Sequence, residues 1–235
     1  MLLLSLLAAG AVLIAPPLAA SRLDAPGRTQ ADRSLDPNRR PAAVLDFAGV
    51  RRGWKVAEYT PGGGYFTRLL SPAVGPEGHV YAYPPSEIVR LLPRHLSDAQ
   101  ANAAAAPLGN VTVLTGTSGA FAAPEPLDLV FTAQNYHDLH TRFAPPGAAR
   151  DLNAAIFRAL KPGGFYVILD HRGAEPDRLH RIDPVIVRAE VEAAGFVFDG
   201  ASDALANTED SRAVSVFDPA VRGRTDQFML RFRKP

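Results

Sequence analysis

The chain has 235 residues, 47% of them apolar, which suits one α/β domain of ordinary size with its own core rather than a disordered polymer. Its 25 Lys and Arg nearly balance 24 Asp and Glu, and a net charge of +1 gives no electrostatic case for a nucleic-acid partner. Cysteine is absent, which excludes a disulfide scaffold, a thiol nucleophile and cysteine-ligated zinc.

Residues 1–20 form an uncharged apolar run ending in small residues, the pattern of a secretory signal with cleavage near Ala19, Ala20 or Ser21. No Lys or Arg precedes the run, whereas Arg22, Arg28, Arg33, Arg39 and Arg40 follow it. Two locations are therefore expected: periplasmic or secreted after cleavage, or held on the cytoplasmic side of the inner membrane by an uncleaved anchor. Residues 21–38 mix charge, Pro and Gly without apolar period and read as a linker, with residues 39–235 as the folded domain. Asp36-Pro37 offers a helix start, and Val44, Leu45, Phe47 and Ala48 recur at helical spacing.

Trp54–Tyr59 reads as the first strand, Pro61–Gly64 as a tight turn, and Phe66, Leu69 and Leu70 as the buried side of a helix. Strands follow at 78–83, 111–114, 127–132, 165–170, 196–201 and 227–232. Helices are expected from Ser86, over 98–106, over 151–160 and over 183–194, the last capped by Asp183 with Pro184 at its first position. Lys161-Pro162-Gly163-Gly164 reads as a turn. This alternation predicts an α/β three-layer sandwich with a seven-stranded, mostly parallel sheet whose last strand enters antiparallel.

Glu58 closes the first strand and glycines open the helix, an order that makes a nucleotide-type pocket at the carboxyl edge of such a sheet. The simpler alternative is a strand-end acid capping a helix beside an ordinary turn. Asn135, Tyr136, His137, Asp138 and His140 lie past the fourth strand, on the same edge. His137 or His140 suits a general base oriented by Asp138, or else the segment is a polar capping loop. A metal is not expected, because His137 and His140 lack a third ligand nearby in sequence. Asp170 and His171 end the fifth strand. His180, Arg181 and Asp183 read as a helix cap with its ion-paired neighbours, and Arg222, Arg224 and Asp226 as a clasp before the last strand. A serine hydrolase is excluded because no nucleophile stands between the glycines. A nicotinamide dehydrogenase fits poorly, since Tyr83 occupies the place of its ribose-binding acid.

Four segments, 56–70, 127–140, 159–170 and 191–200, resemble in order the motifs of class I (seven-stranded, Rossmann-like) S-adenosylmethionine-dependent methyltransferases. HRIDP (180–184) and residues 215–235 resemble more narrowly a bacterial group of predicted methyltransferases that bear signal sequences. The resemblance implies S-adenosyl-L-methionine as cofactor, held by Glu58, Thr60, Gly62, Gly63, Gly64, Tyr83, Thr117 and Asn135. It also implies methyl transfer to a small acceptor, with His137, Asp138 and His140 as catalytic candidates. Three positions depart from the family pattern. Thr60 replaces the first glycine, Tyr83 the acid that ends the second strand, and Thr117 with Ser118 the acid after the third. Glu87 is the nearest substitute for the missing ribose ligand. Export would part the chain from a cytoplasmic cofactor, so the alternative is a non-catalytic envelope binding protein on the same fold.

Overall fold

The structure, a computed structural model, describes residues 23–24, 27–105 and 109–235; the apolar segment 1–20 lies outside these. In chain order the elements are α1 (Gln30–Arg39), α2 (Pro41–Ala48), β1 (Lys55–Tyr59), α3 (Thr67–Val74), β2 (His79–Tyr83), α4 (Ser86–Leu91), α5 (Arg94–Ala104) and β3 (Val111–Val113). There follow β4 (Leu127–Ala133), α6 (Ala148–Ala159), β5 (Leu160–His171), α7 (Pro176–Leu179), α8 (Pro184–Ala193), β6 (Val197–Ser202) and β7 (Gln227–Arg233). One sheet takes the order β3-β2-β1-β4-β5-β7-β6. Strands β1 to β5 pair in parallel, and β7 inserts antiparallel between β5 and β6. The predicted fold class is therefore correct in strand number and in the direction of the last strand.

Side chains alternate across each strand, so the sheet carries a core on each face. Val56, Val80, Leu129, Phe131 and Val167 pack with Leu69, Leu70 and α2 on one face. Ala57, Tyr59, Tyr83, Val130 and Ile168 pack with Leu152 and Ile156 of α6 on the other. The chain order reverses between β1 and β4, and the crevice beyond their carboxyl ends is where such sheets bind ligands. Among the described residues, no helix is long and apolar enough to cross a membrane.

Two local expectations are corrected. Residues 30–38, expected as linker, form α1, which starts at a capping box between Thr29 and Asp32 and carries Pro37 inside rather than at its start. This helix is held by charge, which apolar periodicity does not register. Asp32 takes a two-pronged hydrogen bond from Arg68 (2.7 and 2.6 Å), and Asp36 accepts from Tyr65 Oη (2.7 Å) and from Arg28. The second correction concerns Lys161–Gly164, which runs on as part of β5 instead of turning. Its backbone pairs with Lys234, Gly163 N–H to Lys234 O and Lys234 N–H to Gly164 O, each 2.9 Å.

Candidate active site

The turn after β1 is built from left-handed backbone: Thr60 has φ +55°, Gly62 +53° and Gly64 +78°. Gly64 N–H closes it onto Pro61 O at 3.0 Å. A Cβ on Gly62 or Gly63 would meet nothing within 4 Å among the described residues, so space for a ligand opens there. A Cβ on Gly64 would strike Asn102 and Arg68, the side chains that hold the Gly63 carbonyl from outside. Between this turn and α1 lies a cavity of about 320 Å³ walled by Glu58, Gly62, Gly63, Arg39, Tyr65 and Asn135. Thr60 takes a conformation that suits glycine, so a threonine there carries backbone strain, and its buried Oγ1 has no hydrogen-bond partner among the described residues. Thr60→Gly is expected to stabilise the fold by about 1 kcal/mol, raising Tm by roughly 2–4 °C in a thermal melt. A lower Tm would show that the threonine makes compensating contacts.

Glu58 points toward α3, is 3% exposed and accepts a hydrogen bond from Thr67 Oγ1. Burial drives its carboxyl up to about 8, against the opposing pull of Thr67, Arg68 and Arg39. The proton is thus bound more tightly in the folded chain than in the unfolded one. Stability from this group is full below the ordinary carboxylate range, near 4.5, and is lost as pH rises through about 8. Urea-unfolding midpoints should therefore fall between pH 5 and 9, and Glu58→Gln should flatten that fall. An unchanged slope in the variant would place the titrating group elsewhere. A ligand ammonium beside Glu58 would reverse the preference and stabilise the carboxylate.

A second cavity, of about 260 Å³, lies past the ends of β1 and β4. Thr60 and Asn135 wall both cavities, so the two adjoin as a two-part cleft. Asn135 Nδ2 donates to the carbonyls of Thr60 (3.2 Å) and Ala133, fixing this dividing point. Glu87, on the first turn of α4, lines the second cavity. Its Oε1 accepts from Ser118 N–H at 2.9 Å, and its Oε2 is buried without a partner among the described residues. Tyr83, the expected ribose contact, walls neither of these cavities. It is 1% exposed, its hydroxyl donates to Thr117 O at 2.8 Å, and its ring packs on Phe121. Thr117 meets the region through that carbonyl and lines a neighbouring recess with Glu87 and Ser118. The acid offered to a ligand on this side is therefore Glu87, not the residue at the end of β2.

The histidines divide differently from the sequence expectation. His137 is 4% exposed and lies behind the cavity wall. Its Nδ1 meets Asp170 Oδ1 at 2.8 Å and its Nε2 meets Asp138 Oδ1 at 3.3 Å. Burial works against the imidazolium, but Asp170 and Asp138 override it and hold the ring up at about 10, which does not suit a free base at neutral pH. His140 turns to Glu190 of α8 (3.1 Å) and also lies off the cleft. Asp138 does line the cleft, and the histidine beside it there is His180. His180 caps α7 in left-handed conformation (φ +55°) and stands 3.3 Å from His137 Nε2 and 3.8 Å from Asp138 Oδ1. A parallel bridge between Arg172 and Ile182 at the end of β5 brings its segment there.

Asp183 caps α8 through Val185 N–H, as expected. Asp170 is fully buried and accepts from the His137 and His171 amides (2.8 and 2.7 Å), so it orders the β4 loop rather than facing ligand. Burial keeps the adjacent His171 down at about 4, its Nδ1 meeting Thr225 Oγ1 at 2.7 Å. Arg181, also fully buried, pairs with Asp210. Asp226 meets Arg172 and Arg212 ahead of β7, while Arg224 donates to Ala220 O, so this stretch clasps the loop before β7.

No family model matches the chain. A protein-L-isoaspartate O-methyltransferase from Ignicoccus hospitalis is 31% identical over 128 residues, 54% of this chain and 52% of that protein. The chain spans about half the length of the curated relatives it matches. Among solved structures, an S-adenosylmethionine-dependent methyltransferase from Aquifex aeolicus superposes with a TM-score of 0.61 at 21% identity, covering 87% of this chain and 97% of its own. Fibrillarin from Aeropyrum pernix, solved with natively bound S-adenosyl-L-methionine, gives 0.51 at 14% identity, covering 81% and 73%. Together with the strand order and the cleft at the carboxyl edge, these likenesses establish that the chain has the fold of class I S-adenosylmethionine-dependent methyltransferases.

Proposed function

We propose that this chain binds S-adenosyl-L-methionine in the two-part cleft and directs its methyl group to a small acceptor with an apolar body. The observation that carries the reading is the pair of acids that wall that cleft, Glu58 buried beside the open glycines and Glu87, whose Oε2 has no hydrogen-bond partner among the described residues. The donor set fits the cofactor's polar groups. Glu58 suits an ammonium, the space above Gly62 and Gly63 suits a chain lying close to the backbone, and Glu87 suits a diol.

When bound, the cofactor supplies an electrophilic methyl on a sulfonium. The residues of the chain position the acceptor in line with it and exclude water. Leu91, Leu139 and Phe143 give that side of the cleft an apolar wall, and Asp138 with His180 gives it a polar edge. A proton leaving an acceptor hydroxyl or amine has those two side chains within the same cavity, whereas His137 and His140 stand behind its wall. Residues 1–20 as an export signal, and membership of the signal-bearing bacterial group, belong to the same proposal. Amino-terminal sequencing of the mature chain, expecting a start near Ser21, tests export.

The direct test is calorimetric titration of S-adenosylmethionine and S-adenosylhomocysteine into the purified chain. Saturable binding in the micromolar range, about −8 kcal/mol, is expected. No binding at millimolar ligand would overturn the proposal.

A further inference from the structure

His137 Nε2, Asp138 Oδ1 and His180 Nδ1 meet at one point on the edge of the cleft, with separations of 3.3, 3.3 and 3.8 Å. The point equidistant from these three atoms lies about 2.0 Å from each, the length of a bond from nitrogen or oxygen to zinc. Ordinary packing does not require two imidazole nitrogens to converge on one carboxylate oxygen, and each of the three groups is held there from behind.

His137 Nδ1 is engaged by Asp170 Oδ1 at 2.8 Å, which leaves Nε2 as its outward donor. Asp170 is fully buried and bound to two backbone amides, so it cannot turn away. A carboxylate behind an imidazole in this way sets the tautomer and aim of metal-bound histidines. His180 sits at φ +55°, a strained conformation for a residue with a side chain, with its ring against Phe217 (centroids 4.8 Å). The next residue, Arg181, is clamped by Asp210 and by the carbonyls of Arg172 and Val214.

We propose that His137, Asp138 and His180 form a binding site for a divalent first-row transition cation of the zinc type. Two imidazoles with one carboxylate select such a cation over magnesium or calcium, which take oxygen ligands. Three protein ligands leave a coordination position open. Asp138 and His180 line the cleft and His137 lies behind it, so the open position faces the acceptor side. The inference rests on this geometry and goes beyond the methyl-transfer reading.

The test is titration of zinc, and separately of cobalt, into the metal-stripped full chain, read by competition with a chromophoric chelator and by the visible absorption of bound cobalt. One equivalent per chain is expected. Asp138→Asn and His180→Ala should each weaken binding at least tenfold, while His140→Ala, outside the cluster, should match the parent chain. Asp138→Asn keeps the side-chain shape, so weaker binding at an unchanged Tm reads the site and not the fold. Absence of saturable binding at micromolar metal would overturn the site, as would equal binding by the parent chain and both cluster variants. Cofactor titration into the same stripped chain reports separately on the methyltransferase reading.

Discussion

Arg181→Ala is expected to destabilise the chain by about 3–5 kcal/mol, the cost of leaving one member of a buried ion pair without the other. Arg181 is fully buried, and its guanidinium donates to Asp210 Oδ2 at 2.8 Å and Oδ1 at 3.1 Å, to Val214 O at 3.0 Å and to Arg172 O at 3.2 Å. Burial opposes the charge on Asp210, yet the amides of Arg212 and Asp226 together with Arg181 hold its carboxyl below the usual range. The contribution is therefore present above the ordinary carboxylate pKa and disappears as pH falls toward and through the depressed value. For a chain of this length the substitution corresponds to a fall in Tm of roughly 10–15 °C. Lysine at this position is expected to recover only part of the loss, because a single ammonium cannot reproduce the planar fork. A melt of Arg181→Ala within two or three degrees of the parent, about 1 kcal/mol, would show that the loop from 203 to 226 repacks without the pair. The effect should reach the cleft as well, since Arg181 fixes the backbone that presents His180.

Glu87→Gln is expected to weaken S-adenosylmethionine binding by about 10- to 150-fold, the worth of one charge-assisted hydrogen bond. The amide keeps the shape and the bond from Ser118 N–H, so the unfolding temperature should move little. Tyr83→Phe makes the opposite pair of changes. Its hydroxyl serves Thr117 O inside the core, so about 1 kcal/mol of stability should be lost while affinity stays near the parent value. Calorimetry on the two variants separates the assignments. Weak binding by Tyr83→Phe with parent-like binding by Glu87→Gln would return the ribose contact to the end of β2.

The strand-and-helix order and the opening βα unit were legible because their signals are local. An apolar run, a terminal acid and a glycine turn fall within ten residues, and the left-handed φ values at 60, 62 and 64 follow from that turn. Helix α1 was not legible. Its ties to the rest include the ion pair of Asp32 with Arg68, 36 positions away, and the bond from Tyr65 to Asp36, and polar residues without period carry no trace of such partners. The cluster of His137, Asp138 and His180 was not legible for the same reason, because His180 lies 43 residues beyond His137.

By itself, then, the amino-acid sequence determined the fold class, the carboxyl-edge location of the cleft and the placing of Glu58 with Gly62–Gly64, since backbone geometry and hydrophobic period are properties of neighbours in the chain. The tertiary structure alone decided which polar side chains face that cleft. Parallel pairing of Tyr59 with Tyr83 carries both rings into the α6 layer, so the acid at hand is Glu87. Capture of His137 by Asp170 turns its ring behind the wall, and the Arg172–Ile182 bridge sets His180 at the front. The direction of a side chain at a loop is fixed by partners distant in sequence, and only the folded chain brings those partners together.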